Sequence, residues 1–304
     1  MTTAPVHESL AVIVLSYNKR ERTLRCLESV RRLARRPGVV VVVDNGSTDG
    51  SADAVAAAFP EVRLVRSPVN TGAAGGRNLG VRAAVAAADA RWLLFLDDDS
   101  VVHEQLAEQL AAALRDDPRA GLATPKAYRL DSPDVIASAG GMRVRLGRGK
   151  VVDLGVGQRD AGQFEGGGTV DACVGFAVLA RREAFEQVGG FDEAFNPYGW
   201  EEVDLSLRMR QAGWTIRYVP TAVCWHAGGT PGRGARVAAY ERGKAANFLR
   251  LMRRHATARE WLGFAAVLPL RLAHLVGMRA RDRSVRVAWA HALGIVDGLR
   301  RGGR

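Results

Sequence analysis

Cysteine is scarce in this 304-residue chain: Cys26, Cys173 and Cys224 lie far apart and form no CxxC pair. That excludes a disulfide framework and a thiolate zinc site, and it fits a reducing compartment. The opening MTTAPVHESL lacks a basic region followed by an apolar stretch, so no secretory leader is read. Apolar runs long enough to span a bilayer are lacking too. WLGFAAVLPLRLAHLVGM (261–278) comes near, but Pro269, Arg271 and His274 interrupt it, and a charge at mid-depth costs roughly 2.5–3.5 kcal/mol on insertion scales. No GxxxxGK[ST] loop occurs, and Gly72, Gly75, Gly76 and Gly80 around Arg77 lack the GxGxxG order. A Walker loop and a dinucleotide fingerprint are therefore unsupported. With 47% apolar and 25% charged residues, 34 Gly and 11 Pro, the chain is none of disordered, collagenous or coiled coil.

Acid is scarce only at one end. Residues 231–304 carry 16 basic and 4 acidic side chains, a local +12, whereas the first 230 carry 27 and 28, a net of −1. The overall +11 thus belongs to the tail. A basic tail suits nucleic acid, an anionic membrane surface, or plain solvent. The aromatic interleaving that stacks bases is missing there, which speaks against nucleic acid. The runs 261–278 and 287–299 read as Arg-edged amphipathic helices. They suit the membrane interface, where each basic residue contributes about 1 kcal/mol near anionic lipid, or packing on the main domain with a solvated Arg face.

What is present in the first hundred residues is alternation. AVIVL (11–15), VVVVVD (39–44), VRLVR (62–66) and WLLFLDDD (92–99) read as strands. Helical spacing follows in KRERTLRCLESVRRL, in ADAVAAAF and in VRAAVAAADA, the last led into by the loop NTGAAGGRNLG. The continuous β-branched run at 39–44 marks a strand buried on both faces. A βαβαβαβ order predicts an α/β fold with a mostly parallel sheet, right-handed crossovers, and ligands beyond the carboxyl ends of the strands. Polar residues collect at those ends: Ser16-Tyr17-Asn18, Asp44-Asn45 and Asp97-Asp98-Asp99.

Three consecutive carboxylates repel one another, and a divalent cation such as Mg²⁺ or Mn²⁺ with hard oxygen ligands compensates them; a solvated acidic turn is the bland alternative. In an extended segment Asp97 and Asp99 point one way and Asp98 the other. Farther on, Trp200 opens a helix to about Ala212 with Glu201, Glu202 and Asp204 in its first turn. Acid there compensates the helix dipole, or it supplies a general base beside an aromatic platform. TIRYVP reads as a strand, and His226 follows AVCW, as a core histidine or a ligand.

Taken together, VIVLSYNKRERTLRCLESV, VVVDNGSTDGS, NTGAAGGRNLG, FLDDDS, RREAFEQVGGFDEAF, WEEVDLSLR and the closing His226 resemble the family 2 glycosyltransferases, in that family's order and spacing over about residues 10–230. The resemblance implies a GT-A fold: a Rossmann-like nucleotide-binding sheet in about 1–100, an acceptor half in 101–230, and a basic lid segment with amphipathic helices in 231–304. It implies an inverting transfer of a sugar from a nucleotide-diphosphate donor, a UDP- or dTDP-sugar, to an acceptor hydroxyl. Tyr17 and Asp44 would meet the nucleobase and Arg77 the base or diphosphate. Asp97 would face ribose and metal and Asp99 bind the metal directly, with Asp98 between them in the nucleotide site, although in some members the middle and last acids do this work. His226 would complete the metal site. Glu202 would be the general base, at a position where the family more often has Asp. Trp200 would stack on the acceptor sugar, with Glu201 and Asp204 supporting that pocket. Arg242 and Lys244, in the Gly-rich stretch after His226, would close over the diphosphate.

The resemblance also implies a cell-envelope glycan or lipid-linked saccharide as acceptor, and peripheral attachment to the cytoplasmic membrane face through the tail. A soluble small molecule or peptide as acceptor is the alternative. A non-catalytic nucleotide- or nucleic-acid-binding protein is a third reading, with no need for Asp97, Asp99, Glu202 and His226 together.

Overall fold

The computed structural model describes residues 10–34, 36–228, 235–281 and 285–300. Residues 1–9, the Gly-rich stretch 229–234 and the last four residues lie outside the described residues. The first half alternates β1 (Leu10–Ser16), α1 (Arg20–Arg31), β2 (Val39–Asp44), α2 (Ser51–Ala58), β3 (Arg63–Arg66), α3 (Gly72–Ala87) and β4 (Trp92–Asp97). These strands lie side by side as β3-β2-β1-β4, every pairing parallel. Their register brings Ser16 level with Asp44 and Leu15 level with Asp97, so three polar strand ends form one rim.

The apolar runs are strands because both of their faces are covered. Val12, Val14, Val42, Leu94 and Leu96 enter one core with Cys26, Leu27 and Val30 of α1. Ile13, Val41, Val43, Leu93 and Phe95 enter the other with Ala74, Val81 and Ala84 of α3. Each such Val, Leu or Phe contributes about 1.5–3 kcal/mol by leaving water. One boundary differs from the sequence reading: α3 begins at Gly72, so the glycine stretch is helix rather than loop. A Cβ at Gly76 would collide with Leu15 and one at Gly80 with Ile13. The glycines let α3 lie close on β1, and that packing offsets their cost of about 1 kcal/mol each in a helix.

The second half comprises β5 (Ser100–Val102), α4 (Leu106–Asp116), β6 (Ala120–Arg129), β7 (Ser132–Ala139), the hairpin β8 (Met142–Arg145) and β9 (Lys150–Asp153), β10 (Gly168–Thr169), β11 (Ala177–Arg181), α5 (Arg182–Gln187), α6 (Glu201–Gln211) and β12 (Thr215–His226). β11 inserts antiparallel between β4 and β6, and β12 runs parallel to β6, so the parallel half continues into a mixed one. Three helices follow: α7 (Ala235–His255), α8 (Ala258–Arg281) and α9 (Val285–Arg300). α7 and α8 complete a third core, in which Leu249, Leu251, Met252 and Phe264 meet Phe195, Val203 and Leu146. α9 lies close on α7, because a Cβ at Gly294 would strike the Arg242 carbonyl and one at Gly298 would strike Leu249. Among the described residues no helix is long and apolar enough to cross a membrane. Leu262, Leu270, Trp289 and Leu299 of α8 and α9 are nonetheless exposed.

Candidate active site

The acidic end of β4 sits on the rim of the parallel half. β5, directly after it, pairs antiparallel with the end of β12, and that pairing sets His226 against Ser100. Residues 127 positions apart are thereby neighbours: His226 Nε2 lies 3.0 Å from Asp99 Oδ1. Phe176 stacks on the imidazole with ring centroids 4.2 Å apart. The attraction is mutual, since Asp99 raises the His226 pKa against burial and His226 lowers that of Asp99. Arg22 of α1 reaches the other Asp99 oxygen at 3.1 Å.

Ligand atoms of Asp97, Asp99 and His226 all lie within 4.8 Å of one another. Two hard carboxylate oxygens and an imidazole nitrogen fit a divalent cation. Asp98 points elsewhere, accepting the Tyr17 N–H at 3.1 Å. Burial, joined by the charges of Asp97 and Asp99, pushes its carboxyl up to about 7 although the Tyr17 bond opposes the shift. The Tyr17 side chain is 44% exposed above this rim. Asp44, at the end of β2, is buried, and its Oδ1 has no partner among the described residues.

Arg77, expected near the base or diphosphate, lies buried between the end of β4 and the start of α6. It is 4% exposed and bridges two acidic groups, with Nη2 at 2.7 Å from Asp97 Oδ1 and Nη1 at 3.0 Å from Glu201 Oε1. Nη2 also donates to the Gly175 carbonyl at 3.1 Å. A guanidinium so placed must stay charged, because it is the counter-ion of two carboxylates in a poorly hydrated space. It ties the end of β4 to the start of α6.

At that start Trp200 adopts a left-handed conformation, φ 74°, and its indole N–H donates to the Lys244 carbonyl at 2.9 Å. Glu201 is engaged on both oxygens, by Arg77 and by the Gly199 N–H at 2.7 Å. Among the described residues no such clamp holds the Glu202 carboxylate. Burial and the neighbouring Glu201 charge hold its pKa well above the carboxylate range, although Arg77 and Lys244 pull the other way. A carboxylate with that basicity is matched to removing a proton near neutral pH.

The first 189 residues provide the comparison that decides the family. The model named glycosyl transferase family 2 matches residues 11–189, and one described as the N-terminal domain of galactosyltransferase matches 161–225. An N-acetylglucosaminyl-diphospho-decaprenol L-rhamnosyltransferase of Mycobacterium tuberculosis is 32% identical, the match covering 71% of this chain and 75% of that one. The chain belongs to glycosyl transferase family 2. A pre-mycofactocin glycosyltransferase of the same species is 29% identical over 74% of this family 2 chain and 44% of its own. Among solved structures, a mannosyltransferase from Pyrobaculum calidifontis in complex with GDP-Man and Mn²⁺ superposes with TM-score 0.58 at 19% identity, over 96% of this chain and 87% of that one. GalNAc-T7 with UDP, GalNAc and Mn²⁺ gives 0.59 at 18% identity, over 77% and 48%. The glycosyltransferase therefore has the GT-A fold.

Two expectations about this glycosyltransferase are corrected by its structure. Asp204 does not face an acceptor pocket. Its side chain is fully buried, 2.7 Å from Arg208 Nε, 3.2 Å from Arg254 Nη1 and 2.8 Å from His255 Nε2, and it clamps α6 to α7. Arg208, four residues on in α6, and Arg254 of α7, 50 residues on, turn it inward. Nor do Arg242 and Lys244 sit on a loop: both are in α7. Arg242 pairs with Asp297 of α9 at 2.6 Å, and Lys244 lies 4.6 Å over the Trp200 ring.

Several neighbours of the site were missed by sequence reasoning. Asn45 accepts from Thr71 N–H and Oγ1 at 2.9 Å and donates to the Gly72 carbonyl at 3.0 Å, fixing the start of α3. Its place directly after Asp44 was the available signal. Phe176 and Arg22 gave none, since a lone Phe and an Arg in a helix's first turn are ordinary.

Proposed function

We propose that this protein is an inverting, metal-dependent glycosyltransferase that moves a sugar from a UDP- or dTDP-sugar to a hydroxyl of a cell-envelope glycan or lipid-linked saccharide. The observation that carries the reading is the arrangement at the rim. A three-ligand cluster, Asp97, Asp99 and His226, lies on one side of Arg77, and a carboxylate of raised basicity, Glu202, lies beyond Glu201 on the other. In this reading Asp97, Asp99 and His226 hold Mn²⁺ or Mg²⁺, which when bound offsets the charge of the leaving diphosphate.

The remaining roles fall to the chain's own residues. Tyr17 and Asp44 take the nucleobase, the orphaned Asp44 oxygen accepting from its polar edge, and Asp98 borders the ribose. Arg77 keeps Asp97 and Glu201 in place from beneath. Glu202 takes the proton of the acceptor hydroxyl as it attacks, a contribution of typically 10²–10⁴-fold. Trp200 offers the acceptor an aromatic face, with Glu201 holding the helix start. The catalytic unit in this reading is 1–230, and 231–304 supplies the helical wall behind Trp200. The Mycobacterium tuberculosis relative named for a diphospho-decaprenol acceptor and the Mn²⁺ in the titles of both solved neighbours support the reading.

A thermal-shift panel of UDP, dTDP, GDP and CDP, with and without Mn²⁺, tests it on wild type and Asp99→Ala. One nucleotide should stabilise the wild type with metal, by about 2.7 kcal/mol at a hundredfold excess over Kd, and not stabilise Asp99→Ala. Stabilisation that ignores Mn²⁺ and survives in Asp99→Ala would sink the metal assignment. We also propose peripheral attachment to an anionic membrane through α8 and α9, whose Leu262, Leu270 and Trp289 are exposed on a basic tail. Failure to co-float with anionic liposomes at low salt would exclude that attachment.

A further inference from the structure

A cavity of about 950 Å³ opens between the β8–β9 hairpin and helices α7, α8 and α9. Nothing in the donor reading uses it. Its walls are apolar, with Phe248, Phe264, Leu268 and Ile295 among them, yet Arg148, Lys150, Lys244 and Arg271 also line it. Its one carboxylate, Glu241, faces His291 at 3.5 Å. Among the described residues none of the four cations lies in an ion pair, whereas Arg242, next to Glu241 in α7, is spent on Asp297.

One of the cations is held in place. Arg271 donates to the Arg148 carbonyl at 3.2 Å, and left-handed Gly149 permits the approach, since a Cβ there would collide with Arg271 and Phe264. The cavity also touches the candidate active site. Trp200 lines it, and Lys244, on the same wall, acts electrostatically on Glu202. Its outer rim is Leu270, 74% exposed, on the helices that carry the other exposed apolar residues.

We infer that this cavity holds the carrier part of the acceptor: a diphosphate against the cations and the first few units of an apolar chain against the phenylalanines. The inference rests on the glycosyltransferase reading and names its acceptor class, a saccharide on a lipid diphosphate. A bare sugar would leave the apolar walls unused, and an uncharged lipid would leave the cations unused. Unpaired cations beside an apolar bore match an anionic amphiphile. The volume, within the roughly 300–1,000 Å³ of small-molecule sites, accommodates the diphosphate-proximal units, and the rest of the chain leaves past Leu270 toward the bilayer. The sugar next to the diphosphate then meets Trp200 and Glu202.

Calorimetric titration of the full chain with farnesyl diphosphate, inorganic pyrophosphate and farnesol tests this, each without Mn²⁺. Farnesyl diphosphate should bind about 100-fold more tightly than pyrophosphate, because only it buries apolar surface. Leu268→Trp, which fills the bore, should weaken it about tenfold or more. Leu270→Asp at the exposed rim, where misfolding is not at issue, should weaken it as well. Both variants should keep the metal-dependent nucleotide stabilisation of the wild type. Equal affinity for pyrophosphate and farnesyl diphosphate would overturn the inference, as would unchanged binding in both variants. Binding that requires Mn²⁺ and vanishes in Asp99→Ala would place the diphosphate at the donor end and overturn it too. No farnesyl diphosphate binding together with intact nucleotide stabilisation would remove the cavity assignment and leave the donor reading standing; loss of nucleotide stabilisation in the wild type would remove both.

Discussion

Two acidic pairs face each other across Arg77, and they differ in how their charge is met. At the end of β4, Asp97 has Arg77 and Asp99 has both His226 and Arg22. At the start of α6, Arg77 and a backbone N–H go to Glu201, and Glu202 is left with distant cations alone. The first pair offers ligand atoms to a cation, with the Asp99 pKa held below its ordinary value by His226 and Arg22; the second keeps a proton-hungry carboxylate. Adjacent carboxylates therefore acquire opposite chemistry from the placement of one shared guanidinium, not from their own identity.

The largest expected effect comes from removing the unmet member. Glu202→Gln should cut turnover by about 10²–10⁴-fold while the metal-dependent nucleotide shift stays, as steady-state kinetics and thermal shift would record. A loss of nucleotide binding instead would mean that both pairs serve the donor. Next, Arg77→Met leaves Glu201 buried without its counter-ion and should destabilise the fold by about 3–5 kcal/mol, read by urea unfolding. Adding Glu201→Gln should recover part of that loss, and no recovery would show that the two pairs are not coupled through Arg77.

A pH series sharpens the comparison further. A base must be deprotonated, so kcat/KM should rise as pH passes upward through the raised Glu202 pKa, falling about tenfold per unit below it. Stability runs the other way. The folded state keeps its proton after the unfolded state has lost it, so the wild type loses stability as pH rises from the ordinary carboxylate range to that raised value. Glu202→Gln, which has no such proton, should become the more stable protein across that window. The smallest effect is expected of Asp98→Asn, within about 0.5 kcal/mol in stability, since Asn still accepts the Tyr17 N–H and Asp98 already resists ionisation.

Much of the first half was legible because its signals are local. A run such as Val39–Asp44 states its own burial, and β1–β4 occur where the apolar runs stand. The end of β4 and the helix opened by Trp200 were marked by chain-local acid; Asp97 and Asp99 do share one side, but Asp98 and Asp99 reach their places through a turn and not an extended segment. Partnership was not legible. Arg77 meets Glu201 across 124 residues, and Asp204 meets His255 across 51. Nothing in the first turn of α6 distinguishes the clamping Asp204 from Glu201 and Glu202, since all three satisfy the same helix dipole. The start of α3 was not legible because the close approach of Gly76 and Gly80 to β1, which makes glycine fit a helix there, is a tertiary contact.

The third core has a bearing on how such chains can be recombined. Phe195 and Val203 belong to the segment around the α6 start, whereas Leu249, Leu251 and Met252 belong to α7, and they close over each other. Asp204 adds Arg254 and His255 to the same seam. The boundary at residue 230 is thus a seam in the sequence but not in the solid. Helices α7–α9 cannot be swapped between relatives as a portable cassette unless the residues of α6 that they cover travel with them, so the tail and the helix bearing Glu202 are a single unit of inheritance.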